Sequence, residues 1–174
     1  MNTSDTGERG KDTLPDMPHV GERSSESKSS CSSITPTADD LHRLHQFCWL
    51  VVREPLHATM TFRLAHCVME AICRWQPDNG AFLSGLALAQ YRMGEYQSTL
   101  DTLARSEEFI PGTPMSLAFQ AMAHHHLGDR NGSWALLGRL QQVMLLPPWH
   151  NDAEAGGFLR EAQALILAKA TSKR

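Results

Sequence analysis

The chain has 174 residues, a formal net charge of −3 and 41% hydrophobic residues. That length holds one domain of ordinary size, with or without a tail, and its longest purely apolar run, Phe47 to Val52, is far too short to span a bilayer. A slightly acidic balance without clustered Arg and Lys argues against a general phosphate-backbone binder, so neither nucleic acid nor membrane is an expected partner.

Residues 1–38 are serine-rich and contain no Phe, Trp or Tyr; every aromatic ring lies in residues 39–174. Such a segment cannot bury enough apolar area to offset its ordering entropy, and Pro15, Pro18, Pro36, Gly7, Gly10 and Gly21 break any helical period. It is expected to be a disordered leader. The charges Asp5, Glu8, Arg9, Lys11 and Asp12 stand where a secretory signal needs an apolar stretch. The run from Ser24 to Ser33 has the composition of a phosphorylation site or a solvated linker.

Leu44, Phe47, Cys48 and Val51 fall at i, i+3, i+4 and i+7 and predict a first helix with that inner stripe. The Pro-containing segment Arg53-Glu54-Pro55-Leu56-His57 ends it. Further on, two stretches align 34 residues apart: Leu83 pairs with Leu117, Ala87 with Ala121, Ala89 with Ala123, Gly94 with Gly128, Thr99 with Ser133 and Leu103 with Leu137. Pro77 and Pro111 keep the same spacing. Leu83, Leu86, Ala87 and Gln90 make a helix face. The alanines let a second helix approach closely. Gly94 and Gly128 stand where a left-handed residue closes a helix, and Pro111 is expected to stop the following one. Counting back from Pro77 places Ala65, Met69 and Ile72 on the second helix of a degenerate earlier copy. After Pro147-Pro148, Asn151 or Asp152 can cap a last helix whose stripe is Phe158, Leu159, Ala162, Leu165 and Ile166, with Arg160, Glu161 and Lys169 pointing elsewhere.

This unit resembles the tetratricopeptide repeat (TPR) family. The residues that carry the resemblance are Leu83, Leu86, Ala87, Gln90, Gly94, Tyr96, Thr99, Leu103, Ser106 and Pro111 in one copy. Leu117, Gln120, Ala121, His124, Gly128, Arg130, Ser133, Leu137 and Leu140 carry it in the next. The long Pro-containing loop after the first helix is similar to that of the divergent first repeat in C-terminal TPR modules of large bacterial multidomain proteins. The resemblance implies an all-α, TPR-like α-solenoid: hairpins at about 40–76, 78–110 and 113–146, and a capping helix at about 151–171 that covers the last apolar face. It also implies a concave face lined by Ser84, Leu88, Tyr91 and Arg92 from one repeat and by Ala118, Met122, His125 and His126 from the next. Such a face holds a protein or peptide partner, here an apolar or amphipathic one. Asn and Lys are absent from these sites, which argues against a receptor for a C-terminal peptide carboxylate.

Catalytic motifs are missing from the sequence: there is no nucleophile elbow, phosphate loop, dinucleotide fingerprint or zinc-protease pattern. His124-His125-His126 cannot converge on one ion, because successive helical residues point about 100° apart. His42 and His45 have chelating spacing without a third ligand beside them. Cys31, Cys48, Cys67 and Cys73 show no metal-binding spacing and are expected to be free thiols, buried except in the leader, in a reducing compartment. Glu107-Glu108 is expected on a solvated face. The expectation is therefore a cytoplasmic, non-catalytic protein-interaction module without metal or cofactor. The alternatives are an orphaned structural domain of a signalling protein and, further off, a metal enzyme on the His-rich helices.

Overall fold

The computed structural model describes residues 35–171, with side chains up to Ala168. The Ser-rich leader up to residue 34, with Cys31, lies outside the described residues, as does the side chain of Lys169. Seven α-helices and one 3-10 turn follow in order: α1 (Ala38–Val52), α2 (Thr59–Trp75), α3 (Gly80–Met93), α4 (Tyr96–Glu107), α5 (Pro114–His126), α6 (Arg130–Val143), the turn Trp149–Asn151, and α7 (Ala153–Thr171). No strand occurs among the described residues, and none of these helices is long and apolar enough to cross a membrane.

Five of the seven helices begin where a side chain takes up an orphan N–H group; α2 and α4, which follow Ala58 and Glu95, have no such cap. At α1, Thr37 Oγ1 accepts from Asp40 N–H (3.2 Å) and the Asp40 carboxylate accepts from Thr37 N–H (3.0 Å), a reciprocal capping box. The helix thus starts inside the segment expected to be leader. Asn79 caps α3, Thr113 caps α5 with Pro114 behind it, Asp129 caps α6, and Asp152 accepts from Ala155 N–H (2.7 Å) to open α7. Gly94 (φ 82°) and Gly128 (φ 86°) take the left-handed conformation after α3 and α5, which L side chains adopt only at a cost. Pro111 does not end α4. The helix closes four residues earlier, at Glu107, where Phe109 and Ile110 N–H both donate to Ser106 C=O.

The helices pair as α1·α2, α3·α4 and α5·α6 hairpins, and each hairpin packs on the next through α2·α3 and α4·α5. Within this stack α3 touches α1, α2, α4 and α5, while α5 touches α3, α4, α6 and α7. Both are buried nearly all round, and their sequences are apolar all round, rich in Leu, Ala, Phe and Met. Gly85 marks the closest approach in the stack: a Cβ there would meet Met69 Cε at 2.7 Å and His45 Nε2 at 2.9 Å. Polar ties reinforce the seams. Ser106 Oγ donates to Gly80 C=O (2.9 Å) and lies 2.8 Å from Ser84 Oγ, joining α4 to α3. Glu107 accepts from Ser116 Oγ (2.7 Å) and Gln120 Nε2 (3.0 Å), joining α4 to α5, so this acid is not on a solvated face.

The first helix adopts a different register from the expected stripe. Leu41, Cys48 and Val52 face the core with Trp49 and Val51 against them, while Leu44 and Phe47 (69% exposed) point outward. The apolar run 47–52 offers two helix faces. The face that wins is the one that packs most deeply against α2 and α3. On α2 the expected residues Ala65, Met69 and Ile72 are buried. Cys48 and Cys73 are buried thiols, but Cys67 is exposed. Burial pushes the Cys73 thiol up to about 11 and raises that of Cys48.

Candidate functional site

A regular stack would leave the faces of α1, α3 and α5 open as a groove. Here α7 leans into it. It packs mainly on α5 and less on α6, and its side chains reach back to the first hairpin. Glu154 accepts from Trp49 Nε1 (2.9 Å) and from Arg53 Nη1 (3.4 Å). The Phe158 ring stands edge-on to Trp49 (centroids 6.3 Å) and to Phe119 (5.4 Å). Glu161, expected on the outer side of α7, takes a two-pronged ion pair from Arg92, whose Nη2 donates to Oε2 at 3.0 Å.

What α7 leaves uncovered is a cleft of about 560 Å³, within the range of small-ligand and side-chain sites. Four separate segments wall it: His45, Trp49 and Leu50 of α1, Ala81 and Ser84 of α3, Ile110 to Met115 at the start of α5, and Trp149 to Phe158 leading into α7. Its lining is mostly apolar, with Asp152 and Glu154 among the residues on the α7 side. His45 is fixed there by donating Nε2–H to Ala81 C=O (3.0 Å), with its ring 5.1 Å from Phe82 and 6.2 Å from Trp49. Burial holds its pKa below the ordinary imidazole value, and the Ala81 carbonyl opposes this only in part.

Of the residues expected on the concave face, Ser84 lines this cleft. Leu88, Ala118 and Met122 have no exposed surface and belong to the core. Tyr91 is buried against Phe119 (5.0 Å) and Tyr96 (5.6 Å), and its hydroxyl pKa is driven up by that burial. The Arg92 side chain, 5% exposed, is engaged by Glu161, Val52 C=O (2.8 Å) and Arg53 C=O (3.1 Å). His126 is exposed and stacks flat on Tyr96 at 4.2 Å, and the half-buried His125 lies beside it at 6.1 Å. The His124 Nδ1 lies 2.9 Å from Asp129 Oδ2, steadying the turn before α6. The three histidines thus serve three different neighbours. Among the described residues no group of three His, Cys, Asp or Glu side chains is placed to hold a metal ion.

The cleft residues Trp49, Leu50, Met115, Trp149 and Phe158 were not singled out as a set by sequence. They come from segments up to about a hundred residues apart. The one legible signal was Glu154, Phe158 and Glu161 at i, i+4 and i+7, a charged-aromatic face on a helix expected to present only its apolar stripe.

No family model and no curated protein matches the chain. Solved structures do match it in fold. PcrH in complex with the chaperone binding region of PopD aligns with a TM-score of 0.59 at 16% identity, over 80% of this chain and 97% of that one. The Yersinia enterocolitica type III secretion translocator chaperone SycD aligns with 0.59 at 16%, over 80% and 89%. A T3SS complex from Aeromonas hydrophila aligns with 0.58 at 16%, over 79% and 85%. At such identities the likeness is one of fold. It agrees with three helical hairpins and a closing helix, and the architecture is a TPR-like α-solenoid.

Proposed function

We propose that this chain is a non-catalytic, chaperone-like module that holds a segment of a partner protein on its concave face, with the cleft between α1, α3, α5 and α7 as the anchoring site. The observation that carries this is the cleft itself: an apolar opening of about 560 Å³ at the place where the fold presents its groove. Trp49, Leu50, Met115 and Phe158 supply desolvated contact area, and Ser84 and His45 supply fixed polar edges. The structures of PcrH with the chaperone binding regions of PopD and PopB support the reading, since a similar fold there carries a bound partner segment. The reading includes a cytoplasmic location, no catalytic role, and a surface extending from the cleft toward Tyr91, His125 and His126. The unusually long α1–α2 connection, Arg53–Ala58, also fits a C-terminal module of a larger bacterial protein, which the sequence of the gene's neighbourhood decides.

The test fills the cleft without touching the core. Ala81 is exposed at its edge, and its backbone carbonyl, the part His45 uses, survives substitution. Ala81→Trp is expected to keep the thermal midpoint within about 2 °C and to abolish capture of the partner that the wild-type chain retains from its own cell extract. If both proteins capture the same partner equally, the cleft is not the site.

A further inference from the structure

The side chains by which α7 grips the array form a discrete set on one helix face. Glu154, Phe158 and Glu161 occupy i, i+4 and i+7. Glu154 meets Trp49 and Arg53, Phe158 enters between Trp49 and Phe119, and Glu161 meets Arg92. The array's side of these contacts is held in place by the array. Arg92 Nε donates to Val52 C=O and Nη2 to Arg53 C=O, and its guanidinium lies 5.7 Å from the Tyr91 ring centre and 5.3 Å from that of Phe119. Trp49 rests on His45, which is tied to α3. None of these supports comes from α7. The array therefore carries a preset carboxylate receptor beside a preset aromatic slot, and α7 fills both. The helix that does so has Gly156-Gly157 in its first turns, residues that weaken a helix.

We propose that α7 is an intramolecular ligand of the concave face. It is exchanged for an amphipathic helix of the partner that presents an acid, an aromatic residue and a second acid at i, i+4 and i+7. The proposal rests on the peptide-binding reading above and adds to it a partner chemistry and a competition. The partner's second acid replaces Glu161 on Arg92, its aromatic ring takes the place of Phe158, and its first acid takes Trp49 Nε1–H. While α7 is docked, only the cleft is open. When it leaves, the faces of α3 and α5 that carry Leu88, Tyr91 and Met122 become available to the incoming helix.

The experiment uses the full chain and, as probe, a fluorescein-labelled synthetic peptide with the sequence of residues 152–168, read by fluorescence anisotropy. A site closed by its own helix shows an affinity reduced by the fraction of time it is open. Weakening the latch by Glu161→Gln in the chain is expected to tighten probe binding at least tenfold over wild type. A probe altered at the positions of Phe158 and Glu161, to Ala and Gln, is expected to bind neither protein. Hydrogen exchange of the free chains supplies the second readout. Amides of 153–168 are expected to exchange at least tenfold faster in Glu161→Gln, and by a larger factor than those of α3 and α4. Equal probe affinity for the two proteins, no binding to either, or unaltered α7 exchange would overturn the proposal. Should Glu161→Gln not fold, Phe158→Leu replaces it under the same criteria. The exchange measurement needs no partner, so its failure removes the competition alone, whereas failure of the Ala81→Trp test removes the groove.

Discussion

At the residue scale, Arg92 decides how α1, α3 and α7 meet. Its three acceptors come from two places in the fold: the carbonyls of Val52 and Arg53 at the end of α1, and the α7 carboxylate of Glu161. Removing one side of a buried pair leaves the other desolvated and unpaired, which usually costs more than the pair contributes. Arg92→Met strands two carbonyls and a carboxylate, and is expected to lower unfolding stability by about 2–4 kcal/mol. Glu161→Gln leaves Arg92 its carbonyls and is expected to cost about 1–2 kcal/mol. Urea titration of the two variants checks the order; equal losses would mean the carbonyl contacts carry nothing. Phe47 is the contrast. The hydrophobic spacing of α1 assigned it to the core, yet it is 69% exposed, so Phe47→Ser is expected to change stability by no more than about 0.5 kcal/mol. The six-residue run 47–52 carries two possible faces, and only the packing partners choose between them. Residues with a single choice were legible: Gly94 and Gly128, whose positive φ nothing else accommodates easily, and Ala87 and Ala121, whose small size lets neighbouring helices close in.

At the element scale, the contact of α1 and α2 with α3 passes through Gly85 and His45. A methyl group at Gly85 would have to displace the fully buried Met69 tip and the His45 ring together. Gly85→Ala is expected to destabilise by about 1–3 kcal/mol, against the usual gain of placing Ala in a helix. A rise in the urea midpoint would show that the seam is loose. His45 also makes the seam sensitive to acid. Its folded pKa lies below the ordinary value of 6.5, with burial the main cause and the nearby His42 adding to it. For a depressed folded value the neutral ring's contribution is complete above pH 6.5 and is lost as pH falls through the folded value. Stability is expected to decline from pH 6.5 downward, and His45→Gln is expected to flatten that decline. Parallel profiles for the two proteins over pH 6.5 to 5 would remove His45 from the account. Sequence spacing had offered His42 and His45 as a chelating pair. Their actual partners are the Ala38 and Ala81 carbonyls, the second on another helix and outside the reach of a local pattern.

At the scale of the whole molecule, the 34-residue period made the stack legible because each hairpin repeats the same local solution. It did not make the site legible, because the site depends on where the last helix lies relative to the first. Family geometry places Leu88 and Met122 on an open groove; in this chain α7 covers that side, and the opening shifts to residues from α1, the α4–α5 loop and the approach to α7. This closure has a consequence for cooperativity. A linear array touches only its neighbours and frays from its ends. Here Glu154 and Phe158 of α7 contact Trp49 of α1 and Arg53 just after it, so the last helix holds the first. The double variant Glu154→Gln/Glu161→Gln is therefore expected to speed hydrogen exchange in α1, which α7 contacts, by a larger factor than in α4, whose neighbours are α3 and α5. If α1 and α4 change by the same factor, the closing contacts stabilise the stack only globally. If α1 does not change at all, the first hairpin stands on α3 alone and the molecule behaves as an open array.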